Sequence, residues 1–172
     1  MLNEKVSELL NDQINKEMYS AYLYLDFANF YTAKGLDGFA NWYRIQAKEE
    51  MDHAIGIMNY LQDNDYVVTL DAIAKPDKDI KNLDDPLKFG LEHERYVTDL
   101  IHTIYGVAHE IHDFRTMKFL DWYVEEQGEE EKNASDMISK FELFGHDAKA
   151  LYQLNSELGA RTYTVSSILG GE

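Results

Sequence analysis

A chain of 172 residues makes about one globular domain, and 16 basic against 32 acidic residues leave it a formal charge of −16. It has no cysteine, which excludes a disulfide scaffold and thiolate chemistry, and no apolar run approaches the roughly 18 residues of a membrane span. The acid surplus argues against non-specific nucleic-acid binding, while 45% hydrophobic and 13% aromatic content argues for a packed core over disorder. A cysteine-free chain suits a reducing compartment, and the opening residues lack a basic segment followed by an apolar run. The expectation is a cytoplasmic protein without a signal peptide.

Pro76 and Pro86 are the only prolines, and both lie in one stretch, so the chain on either side is free of the strongest helix breaker. Apolar periodicity and capping residues predict helices at about 3–33, 37–64, 84–111, 114–144 and 147–158. Gly35, Gly145 and Gly159 close three of them in the manner of C-caps, and Asp113 with Thr116 opens the fourth after a turn near His112. The best strand-like run, Tyr66-Val67-Val68-Thr69-Leu70, is too short to found a sheet. Short joints make the first and second helices antiparallel neighbours, and likewise the third and fourth. The connector 65–81 is different. Its seventeen residues reach roughly 56 Å when extended at about 3.3 Å each. A helix of about 28 residues is only roughly 42 Å long. The connector can therefore run the length of the bundle. The expected fold is all-α: a four-helix bundle with one long crossover and a short fifth helix. The tail 160–172 carries no assignment.

Each long helix has an apolar stripe broken by acid. The first reads Leu10, Ile14, Glu17, Ala21, Tyr24, Ala28, Tyr31, and the second Tyr43, Gln46, Glu50, His53, Ile57, Tyr60. The third reads Leu87, Leu91, Glu94, Thr98, Ile101, Tyr105, Ala108, and the fourth Leu120, Val124, Gln127, Glu130, Ala134, Met137, Phe141. One core carboxylate has a bland explanation, such as a hydrogen bond to a tyrosine. Four acid-bearing stripes do not, because an isolated buried carboxylate is unfavourable and prefers to be protonated. Glu17 and Glu50 lie about eighteen and fifteen residues on either side of Gly35, and Glu94 and Glu130 about eighteen on either side of His112. All four therefore meet near mid-bundle, where a dinuclear cation site would offset their charge. Glu50 and His53, three apart, project from one helix face. Carboxylates with one imidazole suit iron or manganese better than thiolate-preferring metals.

With these residues the chain resembles a ferritin, and specifically a bacterial non-haem ferritin. The resemblance spans the chain to about Gly159. It rests on Glu17, Tyr24, Glu49-Glu50-Met51-Asp52-His53, Glu94 and Trp122-Tyr123-Val124-Glu125-Glu126-Gln127-Gly128-Glu129-Glu130-Glu131. Bacterioferritins repeat Glu-x-x-His on the fourth helix, whereas this chain reads Gln127-x-x-Glu130. Met51 stands where bacterioferritins carry a haem ligand, but its expected role is apolar packing, and haem is not expected.

The resemblance implies a ferritin-like bundle and an iron-storing ferroxidase. Glu17, Glu50 and His53 would bind a first iron, with Glu50 bridging. Glu94 and Glu130 would bind a second, with Gln127 close by. Glu49, Glu126 and Glu129, with Glu130, would form a third iron site, although on the residues alone they read equally as a solvated charged face. Tyr24 would hydrogen-bond the site and donate electrons, or serve only as core packing. The partners implied are Fe(II), O2 and identical subunits, 24 in number, with no nucleic acid or membrane. Phe27, Phe30 and Tyr152 are expected on helix exteriors as subunit contacts. The histidines His93, His102, His109, His112 and His146 are expected at the surface or in turns, and Trp122 is expected to pack. Animal ferritins line a threefold channel with acids where this chain has Met117 and Leu120, which leaves iron's way in open. Rival readings are a miniature twelve-subunit cage, a di-iron oxidase acting on an organic substrate, and a purely structural bundle.

Overall fold

The computed structural model describes residues 2–171. Five helices follow in order: α1 Glu4–Ala33, α2 Asp37–Asp63, α3 Asp85–Glu110, α4 Phe114–Phe144 and α5 Ala148–Gly159, then a 3₁₀ turn at Ser167–Leu169. No strand occurs among the described residues. Side chains cap three starts: Asn3 accepts from Lys5 N, Asp113 from Thr116 N and Asp147 from Ala150 N. Gly35 ends α1 with φ +74°, which favours glycine, and donates to Thr32 O while Leu36 N donates to Tyr31 O. Gly145 differs from the expectation: it caps α4 with φ −71°, in the right-handed region.

α1 packs against α2 and α3, and α3 against α4. Tyr123 Oη donates to His53 O at 2.8 Å, tying α4 back to α2 and closing the ring. The connector, residues 64–84, runs alongside α1. Asn11 exchanges two hydrogen bonds with Thr69, Asn15 donates to Ala72 O, and Tyr31 donates to Leu83 O. These contacts proceed from the beginning of α1 to its end, so the segment is a crossover and α3 starts beside the end of α1.

α5 supplies something α2 lacks. Leu36, the N-cap of α2, gives no side-chain cap, and Asn155 Oδ1 accepts from Gly38 N at 2.8 Å and Phe39 N at 3.2 Å instead. A Cβ at residue 38 would fall 1.6 Å from Asn155 O. Asn155→Ala should lower stability by about 1 kcal/mol, the usual loss of an N-cap. Gly38→Ala should lower it by about 1–3 kcal/mol through overpacking and loosen α5. Thermal melts of the two variants check that order.

The core has two halves. One holds Tyr24, Phe27, Tyr31, Phe39, Tyr43, Leu87, Met137 and Phe141, and the other Leu10, Ile14, Ala54, Ile57, Val97, Ile101, Leu120 and Tyr123. On every long helix the acid-bearing positions fall between the halves. The α1 stripe is buried throughout, but α3 presents a slightly rotated face: Gly90, Val97 and Ile104 are buried, while Leu91, Thr98 and Tyr105 are half-buried. On α4, Tyr123 is buried and Val124 and Ala134 are half-buried. Phe27, expected outside, is fully enclosed at 0% exposure, because the buried face of α1 is wide enough to include the neighbour of Ala28. Phe30 is half-buried and Tyr152 is exposed.

Candidate metal centre

Between the two core halves lie Glu17, Glu50, His53, Glu94, Gln127 and Glu130, each no more than 5% exposed. Glu17 comes from α1, Glu50 and His53 from α2, Glu94 from α3, and Gln127 and Glu130 from α4.

Three of them converge. Glu17, Glu50 and His53 each offer a ligand atom, and the three atoms lie within 4.8 Å of one another. His53 Nδ1 is 3.6 Å from Glu50 Oε2. Glu17 Oε2, Glu50 Oε1 and His53 Nε2 are buried with no hydrogen-bond partner. An unsatisfied buried polar atom costs about 1–3 kcal/mol, more when charged. The orphaned atoms belong to the three residues that converge, which fits a cation site; His53 turns Nδ1 toward Glu50 and its orphaned Nε2 toward Glu126. Hard oxygen donors with one imidazole and no sulfur fit iron or manganese.

Other groups are held in place. Gln13, one turn before Glu17, donates to Glu17 Oε1 at 2.8 Å, which leaves Oε2 as the free ligand atom. Tyr24 Oη donates to Glu94 Oε1, and Gln127 Nε2 donates to Glu94 Oε2 at 3.2 Å. Gln46, one turn before Glu50, donates to Glu130 Oε2 at 2.8 Å. Glu94 and Glu130 share a narrow cavity with Tyr24, Tyr43, Gln46 and Met137. They line the same interior as the converging triad but are not drawn into it. Gln13 and Gln46 carried no functional assignment in the sequence; their signal was position, four residues before a candidate ligand.

Burial drives the electrostatics. It raises the carboxyl of Glu17, and it raises that of Glu50 well above the usual 4.5, with Glu94, Glu17 and Glu130 adding repulsion. Burial pushes Glu94 up to about 7. Burial, then repulsion from Glu94, pushes Glu130 up to about 8. Like-charged carboxylates out of water resist ionisation until a cation joins them. Burial, then Glu94 and Glu50, also lifts the Tyr24 phenol far above 10.

The outer carboxylates behave differently from one another. Glu126 Oε1 is 3.8 Å from His53 Nε2. Glu49 is bound by Arg161, with Nη2 2.8 and 3.0 Å from its two oxygens. Glu129 is exposed. Burial raises both Glu49 and Glu126.

Two expectations need correction here. His93 is buried, not at the surface. Its Nε2 lies 2.7 Å from Ser20 Oγ, its ring packs among Tyr19, Tyr24 and Tyr96, and burial depresses its pKa to about 4. Met51 is 38% exposed, so it fills no gap in this chain's core. Trp122 packs as expected, edge-on against His53 at 5.4 Å, and it also donates from Nε1 to Ser167 Oγ.

Residues 7–144 match the ferritin-like domain family. The chain belongs to the ferritin family. It is 38% identical over 152 residues to a bacterial non-heme ferritin of Campylobacter jejuni, spanning 88% of this chain and 91% of the relative. It is 37% identical over 159 residues to a probable bacterial non-heme ferritin-like protein of Haemophilus influenzae, spanning 92% and 96%. In structure it matches an open pore ferritin of Archaeoglobus fulgidus with a TM-score of 0.92 and 41% identity, covering 94% of this chain and 100% of the other.

Proposed function

We propose that this protein is an iron-storage ferritin that oxidises Fe(II) with O2 at a dinuclear site inside the bundle and keeps the ferric product in a cage of 24 subunits. The observation that carries the reading is the convergence of Glu17, Glu50 and His53, each with an orphaned buried polar atom, between the two core halves. The acid surplus favours gathering cations. Exposed apolar side chains such as Tyr22, Leu25 and Tyr152 supply material for subunit contacts.

Fe(II) is the substrate. A first ion takes Glu17 Oε2, Glu50 and His53, and a second takes Glu94 and Glu130, with Glu50 between them. Each Fe(II) gives up one electron and O2 takes the pair. Protons displaced from the raised carboxyls leave as the ions bind. Gln13 and Gln46 keep one oxygen of Glu17 and one of Glu130 engaged, so each carboxylate presents its other oxygen. Tyr24, bonded to Glu94 Oε1, keeps its phenol beside the position of the second ion as a candidate electron donor. Glu49, Glu126 and Glu129, with Glu130, supply a third position through which product passes outward. Among the described residues no helix is long and apolar enough to cross a membrane, and a cytoplasmic location is part of the same proposal.

The test is aerobic Fe(II) addition followed by gel filtration. Ferric absorbance should rise quickly, and iron far beyond a few ions per chain should co-elute with an assembly near 24 subunits. Release of all ferric iron from the protein overturns storage, and an assembly near twelve subunits favours the miniature cage. Gln127 bears on the second iron: a neutral amide holds it less tightly than a carboxylate. Gln127→Glu should therefore slow repeated turnover in stopped-flow measurements, and an unchanged rate counts against that role.

A further inference from the structure

The tail, residues 160–171, belongs to none of the helices that build the site, yet it lies along α2 directly over it. Asn41 Nδ2 donates to Arg161 O at 3.0 Å, Tyr163 Oη and Ser166 N donate to Asp52 Oδ2 at 2.7 and 2.9 Å, and Ile168 packs where a Cβ on Gly56 would fall. Trp122, the aromatic neighbour of His53, bonds Ser167. The strap is fixed along its whole course.

Its first charged side chain, Arg161, reaches the candidate metal centre from outside. Arg161 Nη1 donates to Gln46 Oε1 at 2.6 Å, Nη2 donates to both oxygens of Glu49, and the guanidinium stacks 4.0 Å from the Trp42 ring. With its oxygen engaged, the Gln46 amide turns its nitrogen inward to Glu130. One cation thus neutralises an outer carboxylate and, through one amide, orients an inner one. The pair is only about a fifth exposed, with side chains at 22% and 18%. Charge-assisted hydrogen bonds in such a setting are strong.

We propose that Arg161 is a built-in counter-cation at the third metal position: it must leave Glu49 before a metal ion can bind there, and the tail thereby gates that position. The inference rests on the reading of Glu49 as a third-site ligand. A guanidinium and a divalent ion compete for the same two oxygens, so an outer ion binds weakly while Arg161 stays and more tightly once it is removed.

The test uses Zn(II), which is redox-inert, titrated calorimetrically into the assembled protein. Wild type should show two tight ions per chain and a weaker third. Arg161→Gln should tighten the third about tenfold, in line with a charge-assisted hydrogen bond removed from competition. Arg161→Lys, which keeps the charge without the planar fork, should tighten it less. Lys48→Gln removes a positive charge that sits over the Tyr163 ring, while the ion pair of Glu49 is made by Arg161. It controls for net charge and should change the third affinity less than about twofold. The chain has two tryptophans, so Trp42 is the sole reporter in a Trp122→Phe background. Its emission should shift as the third ion binds, and not shift when Arg161→Gln is added. A Glu49-dependent third ion with equal affinity in wild type and Arg161→Gln, or with no Trp42 response, overturns the gate and leaves the third-site reading standing. A third ion that Glu49→Gln does not weaken, or no third ion in any variant, overturns the third-site reading and the gate with it.

Discussion

If the protein is the proposed ferroxidase, Glu50→Ala should lower the initial rate of Fe(II) oxidation at least about a hundredfold, a loss beyond the 10–100-fold that even outer partners of metal ligands produce. Glu50 belongs to the converging triad and also feels Glu94 and Glu130, so in the proposed dinuclear site its removal would take a ligand from both ions. The isosteric Glu50→Gln separates lost chemistry from lost folding. In the metal-free protein Glu50 is buried at 1% exposure among Glu17, Glu94 and Glu130, all of which disfavour its charge. Replacing it by a neutral amide at pH 8 removes that repulsion, so the metal-free Glu50→Gln protein should melt at the wild-type temperature or a few degrees higher. Zn(II) should raise the melting temperature of wild type strongly and that of Glu50→Gln weakly. At one hundred times the dissociation constant a bound ion adds about 2.7 kcal/mol, and losing the site loses that increment. A Glu50→Gln protein that melts earlier without metal, yet gains as much from Zn(II), contradicts this account of the site.

The second large effect is in pH. Glu94 titrates near 7 and Glu130 near 8 in the fold, and Glu17 and Glu50 are raised too, against an ordinary value of 4.5 when unfolded. Between about 4.5 and 8 the folded, metal-free chain therefore holds more protons than the unfolded chain. The stabilising contribution of these groups is complete below about 4.5 and is lost as pH rises through 7 to 8. Metal binding has the opposite sign, because the ion takes the deprotonated carboxylates. Raising pH from 6 to 8 should lower the melting temperature of the metal-free protein and enlarge the increment given by Zn(II). Calorimetry in buffers of different ionisation enthalpy should find protons released with each ion. In Glu94→Gln and Glu130→Gln both slopes should flatten. A metal increment that shrinks toward pH 8 overturns the assignment of raised carboxyls to the site.

Much of this was legible in sequence because it is periodic. The α1 stripe from Leu10 to Tyr31 is buried at every predicted position, since its apolar steps are unbroken except at Glu17. On α3 the predicted face was slightly misphased. Gly90 has no apolar signal to offer, yet it is buried where Tyr43 packs close, and Val97 and Ile104 go inside with it in place of Thr98 and Tyr105. Glu94 survives the error because both phases share it. The crossover followed from length alone, since only an extended segment spans a bundle.

What the sequence hid was long-range and aperiodic. His93 is buried through a contact with Ser20, 73 residues away, and no local pattern marks that pairing. Arg161 meets Glu49 across 112 residues, from a tail with no helical period to read. Asn155 caps a helix it does not belong to. Each is a polar contact made by tertiary packing, to which a hydrophobic stripe is blind.

Glu17, Glu50 and His53 form, on the proposed reading, a built cation site and not a strained polar gap. A crystal grown without metal and soaked anaerobically in Fe(II), with anomalous data collected at the iron edge, tests it most directly. A peak is expected within about 2.0–2.3 Å of those three groups, and a second beyond Glu50 beside Glu94 and Glu130. Iron found only on exposed surface carboxylates, with the three buried atoms still unpartnered, would contradict it.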